Sequence, residues 1–108
     1  MSLPKLVRDK IPQIIEQEGQ TPIFEKAREN EAAYFLFSKI EEEVGEFKLD
    51  PSLEEAADIY EAFIAICNHF DLSIREVLKT AESKRMLKGS FDEYFILKSV
   101  KTKGETPT

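Results

Sequence analysis

The sequence has no tryptophan, a single cysteine, a single histidine and no long apolar run. Its longest purely apolar stretch, Ala62 to Cys67, is six residues long, whereas a membrane-spanning helix needs about 20. The cations Lys5 and Arg8 near the start are not followed by the apolar stretch of a signal peptide. One cysteine excludes an internal disulfide, so these absences predict a cytoplasmic protein that does not interact with a membrane.

Basic residues are too few for a general nucleic-acid surface. The chain has 15 lysines and arginines against 21 acidic residues, which gives a net charge of -6. Binding a nucleic-acid duplex requires clustered excess cations that neutralise the phosphates. The acidic residues are concentrated instead, because residues 41–61 contain nine carboxylates and one cation, Lys48. This local imbalance is the strongest signal in the sequence.

The length and composition indicate one domain. A chain of 108 residues buries about two-thirds of its unfolded surface. With 42% hydrophobic and 33% charged residues, the sequence has the balance of a globular protein. We expect a single domain over residues 1–100 and a polar, frayed tail over residues 101–108.

The first half of the chain predicts two helices with an extended piece between them. Asp9 is suited to cap a first helix, which Gly19 ends. Residues 22–27 follow as a short extended piece, and Asn30 is expected to open a long helix over residues 31–48. Six residues form the apolar side of that helix: Ala33, Leu36, Phe37, Ile40, Val44 and Phe47.

The third predicted helix covers residues 53–69. Ser52, with Glu55 three residues later, is a capping-box pattern that marks its start. The helix is apolar over most of its circumference, so we expect it to be buried on more than one side. Four modest helices do not easily cover such a surface, and a homodimer or a dimer of dimers would supply the rest.

The last part of the chain predicts one more helix and a strand. Ser73 with Glu76 begins a fourth helix that ends near Gly89. Residues 94–100 are β-prone and are expected to pair with the extended piece at residues 22–27. The predicted fold is therefore all-α, an antiparallel bundle of about four helices with a small β appendage.

The acidic residues of the long and third helices fall on faces that meet near the loop between them. At 100° per residue, three glutamates of the long helix share an arc of about 100°, and two acids of the third helix lie about 60° apart. Because the loop is only a few residues long, the helices are antiparallel neighbours. Up to five carboxylates converge beside that loop: Glu42, Glu43, Glu46, Glu55 and Asp58.

Carboxylates at this density repel one another, and burying them is costly unless they are paired. Oxygen ligands favour Mg²⁺, or Mn²⁺, over zinc or copper. A di-iron bundle is excluded because His69 lacks the Glu-x-x-His spacing. Two alternatives stay open: acidic runs on helices are often solvated faces, and Glu55 is also the acid of the capping box.

Four segments resemble a known family. Residues 42–46 have the form E-E-x-x-E and residues 55–58 the form E-x-x-D, a pair similar to the signature of the all-α nucleoside triphosphate pyrophosphohydrolases (MazG, dimeric dUTPases and phosphoribosyl-ATP pyrophosphohydrolase). Residues 5–12, Lys-Leu-Val-Arg-Asp-Lys-Ile-Pro, resemble the opening of the small phosphoribosyl-ATP pyrophosphohydrolase-like branch. Lys84, followed by Gly89-Ser90-Phe91 and Ile96-Leu97, resembles the C-terminal segment of that branch.

The resemblance implies a Mg²⁺-dependent nucleotide pyrophosphohydrolase that cleaves between the α- and β-phosphates and releases a monophosphate and pyrophosphate. It implies that Glu43, Glu46, Glu55 and Asp58 are metal ligands. Glu42 is then a further ligand, or the group that orients or deprotonates the attacking water. The candidates for holding the substrate phosphates are Arg8, Lys10, Lys84, Arg85 and Lys88.

The sequence departs from this family in ways that leave the nucleotide open. Ser90 stands where a second glycine is common, and only eight residues separate Glu46 from Glu55. Two other functions remain as alternatives. One is a non-catalytic nucleotide- or protein-binding helical module that retains the acidic site, and the other is an acidic interaction domain without a metal.

Overall fold

The computed structural model describes residues 3–102 and 104, and this part of the chain is helical. Four helices are formed: α1 (Ile11–Gln17), α2 (Glu29–Leu49), α3 (Leu53–His69) and α4 (Ile74–Lys88). Helices α2 and α3 pack against each other, whereas α4 contacts α3 at only a few residues. The prediction of an all-α chain with four helices is confirmed. None of the helices in the described part combines the length and apolarity needed to cross a bilayer.

Serine caps fix the starts of α3 and α4. The Ser52 hydroxyl accepts a hydrogen bond from the Glu55 N–H at 3.2 Å, and the Ser73 hydroxyl accepts one from the Glu76 N–H at 3.4 Å. Each hydroxyl satisfies a donor that the helix itself leaves unpaired. At the other end of α4, Gly89 has a φ of 83°, a conformation that residues with a side chain rarely adopt. The predicted bounds of both helices are confirmed.

The predicted starts of the first two helices are wrong by one or two residues. Helix α1 is preceded by Lys10 at its N-cap, which makes no side-chain capping bond, so Asp9 is not the cap. Helix α2 begins before Asn30 because the Glu31 carboxylate accepts a hydrogen bond from the Arg28 N–H at 3.0 Å. That bond satisfies the chain at Arg28 and places Asn30 inside the first turn.

The α2–α3 contact contains the small core of the chain. The buried apolar residues of the described part are Leu36 on α2 and Ala62 and Cys67 on α3. Cys67 is the most buried of the three, with 2% of its surface exposed. The only buried charged residue in the described range is Glu43, also on α2. The core therefore includes a carboxylate at the same interface as its apolar residues.

The predicted β appendage is not formed. Within residues 3–102 and 104 the structure contains no strand, and no backbone hydrogen bond joins residues 22–27 to residues 94–100. Both segments are exposed, as shown by Ile23 at 99% and Ile96 at 81%. The prediction fails because the two segments do not form a backbone ladder with each other within the described part of the chain. Of the predicted tail at 101–108, residues 103 and 105–108 lie outside the described part.

Candidate metal centre

Three carboxylates from two helices meet at the α2–α3 interface. One oxygen each of Glu43, Glu55 and Asp58 lies within 4.8 Å of the other two. Glu43 follows the buried Leu36 by seven residues, which places both side chains on the inner face of α2. Asp58 precedes the buried Ala62 by one turn of α3, where the small side chain leaves room beside it. We call these three residues the acidic cluster.

Glu55 directs its carboxylate toward the cluster rather than back to its own helix cap. In a complete capping box, the Glu55 side chain would accept the Ser52 N–H. That N–H instead donates to the Asp50 carbonyl at 2.7 Å. Only the serine half of the box is formed, through the Glu55 N–H and the Ser52 hydroxyl. The structural alternative for this side chain is therefore not realised.

Two oxygens of the cluster are buried without a hydrogen bond. Among the described residues, Glu43 Oε2 and Glu55 Oε2 are inaccessible and have no partner. Glu43 is 5% exposed, so solvent does not reach it freely. A buried acceptor that lacks a partner costs about 1–3 kcal/mol, and more when it is charged. These atoms are free to accept a cation or a donor that the chain itself does not provide.

The electrostatics of Glu55 reflect this crowding. Desolvation, followed by repulsion from Glu46, Asp58, Glu43 and Asp50, raises the pKa of Glu55. Both causes oppose the ionised form. A divalent cation among these carboxylates would reverse the repulsion and favour their ionised state.

Lys39 lies beside the acidic cluster and was not identified from the sequence. Its ammonium is 3.1 Å from Glu42 Oε1 and 3.1 Å from Glu43 Oε1. Burial lowers the pKa of Lys39, but hydrogen bonds to Glu43 and Glu42 outweigh that effect and raise it. Its spacing of three and four residues before these acids on one helix was the available signal. Glu42 also lies 3.8 Å from the Lys5 ammonium.

Arg8 reaches the acidic cluster from the N-terminal segment. Its Nη2 donates to Asp58 Oδ1 at 2.6 Å, across fifty residues of sequence. This hydrogen bond is the main reason that the pKa of Arg8 is raised, so the guanidinium remains charged. Both side chains are partly exposed, Arg8 by 54% and Asp58 by 37%. The sequence associated Arg8 with phosphates, and here it pairs with a cluster carboxylate.

The other predicted site residues lie outside the acidic cluster. Glu42 is held by Lys39 and Lys5, and Glu46 acts on Glu55 through its charge without joining the three-oxygen group. The remaining predicted cations are exposed, and no hydrogen bond or ion pair links them to the cluster in the described part of the chain. They are Lys10 at the start of α1 and Lys84, Arg85 and Lys88 on α4.

A small cleft adjoins the charged groups between the N-terminal segment and α2. It has a volume of about 190 Å³ and reaches from the aromatic rings of Tyr34 and Phe35 to Lys39 and Glu42. The two rings meet edge to face, with centroids 5.4 Å apart. The cleft thus combines an aromatic wall with the Lys39–Glu42 pair at its edge.

The donor set suits a hard divalent cation. All three cluster groups are carboxylates, which are ligands typical of Mg²⁺ and Mn²⁺, and two of their oxygens lack a partner within the described residues. The residues therefore fit the metal that the sequence pattern suggested. Comparisons of the chain with protein families, with curated proteins and with solved structures find no match.

Proposed function

We propose that this chain is a Mg²⁺-dependent nucleotide pyrophosphohydrolase of the MazG-like type. It would cleave between the α- and β-phosphates of a nucleoside triphosphate or a related nucleotide, giving a monophosphate and pyrophosphate. The observation that carries the proposal is the pair of buried, unpartnered oxygens on Glu43 and Glu55, beside Asp58. These are three of the four residues that the family resemblance nominates as metal ligands.

Each residue of the proposed centre has a distinct role. Glu43, Glu55 and Asp58 would hold the cation, and Glu46, whose charge acts on Glu55, is a further candidate ligand. When bound, Mg²⁺ would neutralise phosphate charge and acidify a water molecule. Lys39 holds Glu42 through Oε1 and so orients its carboxylate. We assign Glu42 as the group that positions the water and accepts its proton, because it lies next to Glu43 without being part of the cluster.

The cations and the cleft supply the proposed substrate contacts. Arg8 is the basic residue best placed to hold a phosphate, since it already reaches the acidic cluster at Asp58. The cleft beside Glu42 is the place we assign to the nucleoside, because an aromatic wall suits the face of a base. Lys10, Lys84, Arg85 and Lys88 remain candidates for the outer phosphates. We further propose that the protein is a cytoplasmic homo-oligomer.

Pyrophosphate release from a panel of nucleotides tests the activity. The panel contains canonical, deoxy and modified triphosphates and phosphoribosyl-ATP, each with Mg²⁺ and with a chelator. Glu43→Gln keeps the volume of the side chain and its bond to Lys39 but removes the buried charge. Glu54→Gln is the matched control, because Glu54 is an exposed glutamate of α3 that directly precedes Glu55 but does not belong to the acidic cluster. We expect the first variant to be inactive and the second to retain activity.

Binding measurements separate this proposal from its two alternatives. Calorimetry with Mg²⁺ and with Mn²⁺ reports whether the acidic cluster holds a cation at all. Metal and nucleotide binding without pyrophosphate release across the panel would indicate a non-catalytic binding module. The absence of metal binding in the intact chain would indicate an acidic interaction domain and would refute the proposed centre.

A further inference from the structure

The C-terminal arm, which we define as residues 74–100, contacts little of its own chain. None of the residues of α4 is buried. Nine large apolar side chains of the arm are each at least 61% exposed: Leu78, Met86, Leu87, Phe91, Tyr94, Phe95, Ile96, Leu97 and Val100. Scattered exposed apolar residues are ordinary, but nine within 27 residues are many, and large exposed apolar patches mark interaction surfaces.

The exposed area of the chain exceeds that of a folded monomer. The surface is 10174 Å², whereas a compact protein of 12.4 kDa exposes roughly 6,100 Å². The radius of gyration is 20.0 Å, against about 13 Å for a compact domain of this length. The difference in area, about 4,000 Å², is several times the roughly 800 Å² that each partner buries in a standard interface. The chain therefore carries enough unburied surface for an obligate interface.

Charge identifies a second copy of the chain as the partner. Helix α4 has five basic and two acidic residues, whereas the α2–α3 hairpin, residues 29–69, has two basic and eleven acidic ones. One chain thus has two surfaces of opposite charge, and within that chain they contact each other at only a few residues. Charge complementarity of this kind favours and orients association. A second copy offers each surface the counterpart that it lacks.

The main chain has a matching pair of free segments. Residues 22–27 and 94–100 share no backbone hydrogen bond in the described part of the chain. Residues 23–27 and 95–100 are exposed, and their N–H and C=O groups have no backbone partner there. An extended segment with free N–H and C=O groups is suited to pair with another across an interface. The two segments are of similar length, and Ile23, Phe24, Phe95 and Ile96 give them exposed apolar side chains.

We propose that the C-terminal arm of each copy docks on the α2–α3 hairpin of a second copy in a reciprocal exchange. In this arrangement residues 94–100 of one copy pair with residues 22–27 of the other. A two-fold exchange pairs both arms and closes the assembly, whereas a head-to-tail arrangement that does not close into a ring would leave arms unpaired and form fibres. The inference goes beyond the proposed hydrolase, because it holds whether or not the acidic cluster is catalytic.

Light scattering on the purified full chain tests the exchange. At about 10 µM, well above the Kd of an obligate dimer, we expect a mass of twice 12.4 kDa. Ile96→Asp should shift the protein toward the monomer, because it places a charge in the proposed interface. Thr102→Asp, an exposed position just beyond the C-terminal arm, is the control and should leave the dimer intact. A monomeric wild type, or equal dimers for wild type and Ile96→Asp, would overturn the proposal.

Hydrogen exchange decides the matter even if Ile96→Asp fails to fold. In one chain, the amides of residues 95–100 have no backbone hydrogen bond in the described part, so they should exchange rapidly. In the exchanged dimer they should be protected together with residues 22–27, and dilution should remove the protection of both segments. If the wild type forms a dimer in which neither segment is protected, the proposed reciprocal docking of the arms is wrong.

Discussion

The α2–α3 hairpin and the C-terminal arm both contain helices and many charged residues, but they differ in how far their side chains are buried within the chain. The hairpin buries Leu36, Ala62 and Cys67 within its own chain and holds Glu43 among them. The arm has no buried residue in α4 and leaves its apolar side chains exposed. Side chains of the hairpin are positioned by neighbours a few turns away. Those of the arm have few such neighbours within the described chain.

This difference separates chemistry from assembly. The acidic cluster uses residues that the hairpin fixes, since Glu43 and Asp58 lie one or two turns from the core contacts. The cations of α4 lie on a helix without a buried residue, and in the proposed exchange the second copy would set their position relative to the cluster. We therefore expect substitutions in the hairpin to alter metal binding and turnover, and substitutions in the arm to alter the oligomeric state first.

The largest effect is expected at Asp58. Asp58→Asn keeps the shape of the side chain and removes the charge that pairs with Arg8 and completes the cluster. Turnover should fall by at least about 10³-fold, more than the 10–100-fold typical of losing a group that only supports a ligand. Steady-state pyrophosphate release at saturating Mg²⁺ measures it, and light scattering should still show the oligomer of the wild type. Full activity would remove Asp58 from the centre.

Local sequence signals predicted the helices better than the contacts between distant segments. The Ser52 and Ser73 caps and the helical spacing of Glu55 and Asp58 depend on a few neighbouring residues, so the sequence alone was sufficient. The Arg8–Asp58 bond joins residues fifty positions apart, and no periodicity encodes it. The β appendage was wrong because the β propensity of residues 94–100 does not specify a neighbouring edge, and no backbone hydrogen bond joins them to residues 22–27 in the described part of the chain.

Glu42 and Glu54 test whether the functional surface of the hairpin is confined to one face. Glu42→Gln should lower kcat by at least about 10²-fold, the lower end for loss of a positioned acid–base group. Glu54 is exposed, so Glu54→Gln should change kcat less than about threefold, because solvent and salt screen its charge. Steady-state kinetics for both variants on one nucleotide make the comparison. Equal losses in both variants would show that the assigned face is wrong.

Arg8 is expected to compete with a metal for the acidic cluster. Its guanidinium lies 2.6 Å from Asp58 Oδ1 and partly neutralises that carboxylate. An exposed ion pair contributes about 0.2–1 kcal/mol, so Arg8→Gln should tighten Mn²⁺ binding by about 1.5- to 5-fold. Calorimetry with Mn²⁺ measures this change directly. Lys10→Gln and Lys84→Gln, outside the hairpin, are controls with unchanged affinity, and a weaker affinity in Arg8→Gln would assign Arg8 to support of the site.

The smallest effect is a pH-dependent stability difference at Glu55. Because desolvation and neighbouring carboxylates raise the pKa of Glu55 in the folded chain, protonation favours the folded state. That contribution is fully present below the unfolded pKa of about 4.3 and is lost as pH rises through the folded value.

Glu55→Gln lacks the repulsion at every pH. The metal-free variant should therefore melt at a higher temperature than the wild type near pH 7, and the difference should shrink toward pH 4. Thermal denaturation with a chelator across this range measures it. When Mg²⁺ is added, it should stabilise only the wild type. A Glu55→Gln variant that is less stable than the wild type at pH 7 without metal would show that the Glu55 carboxylate has a stabilising partner in the chain.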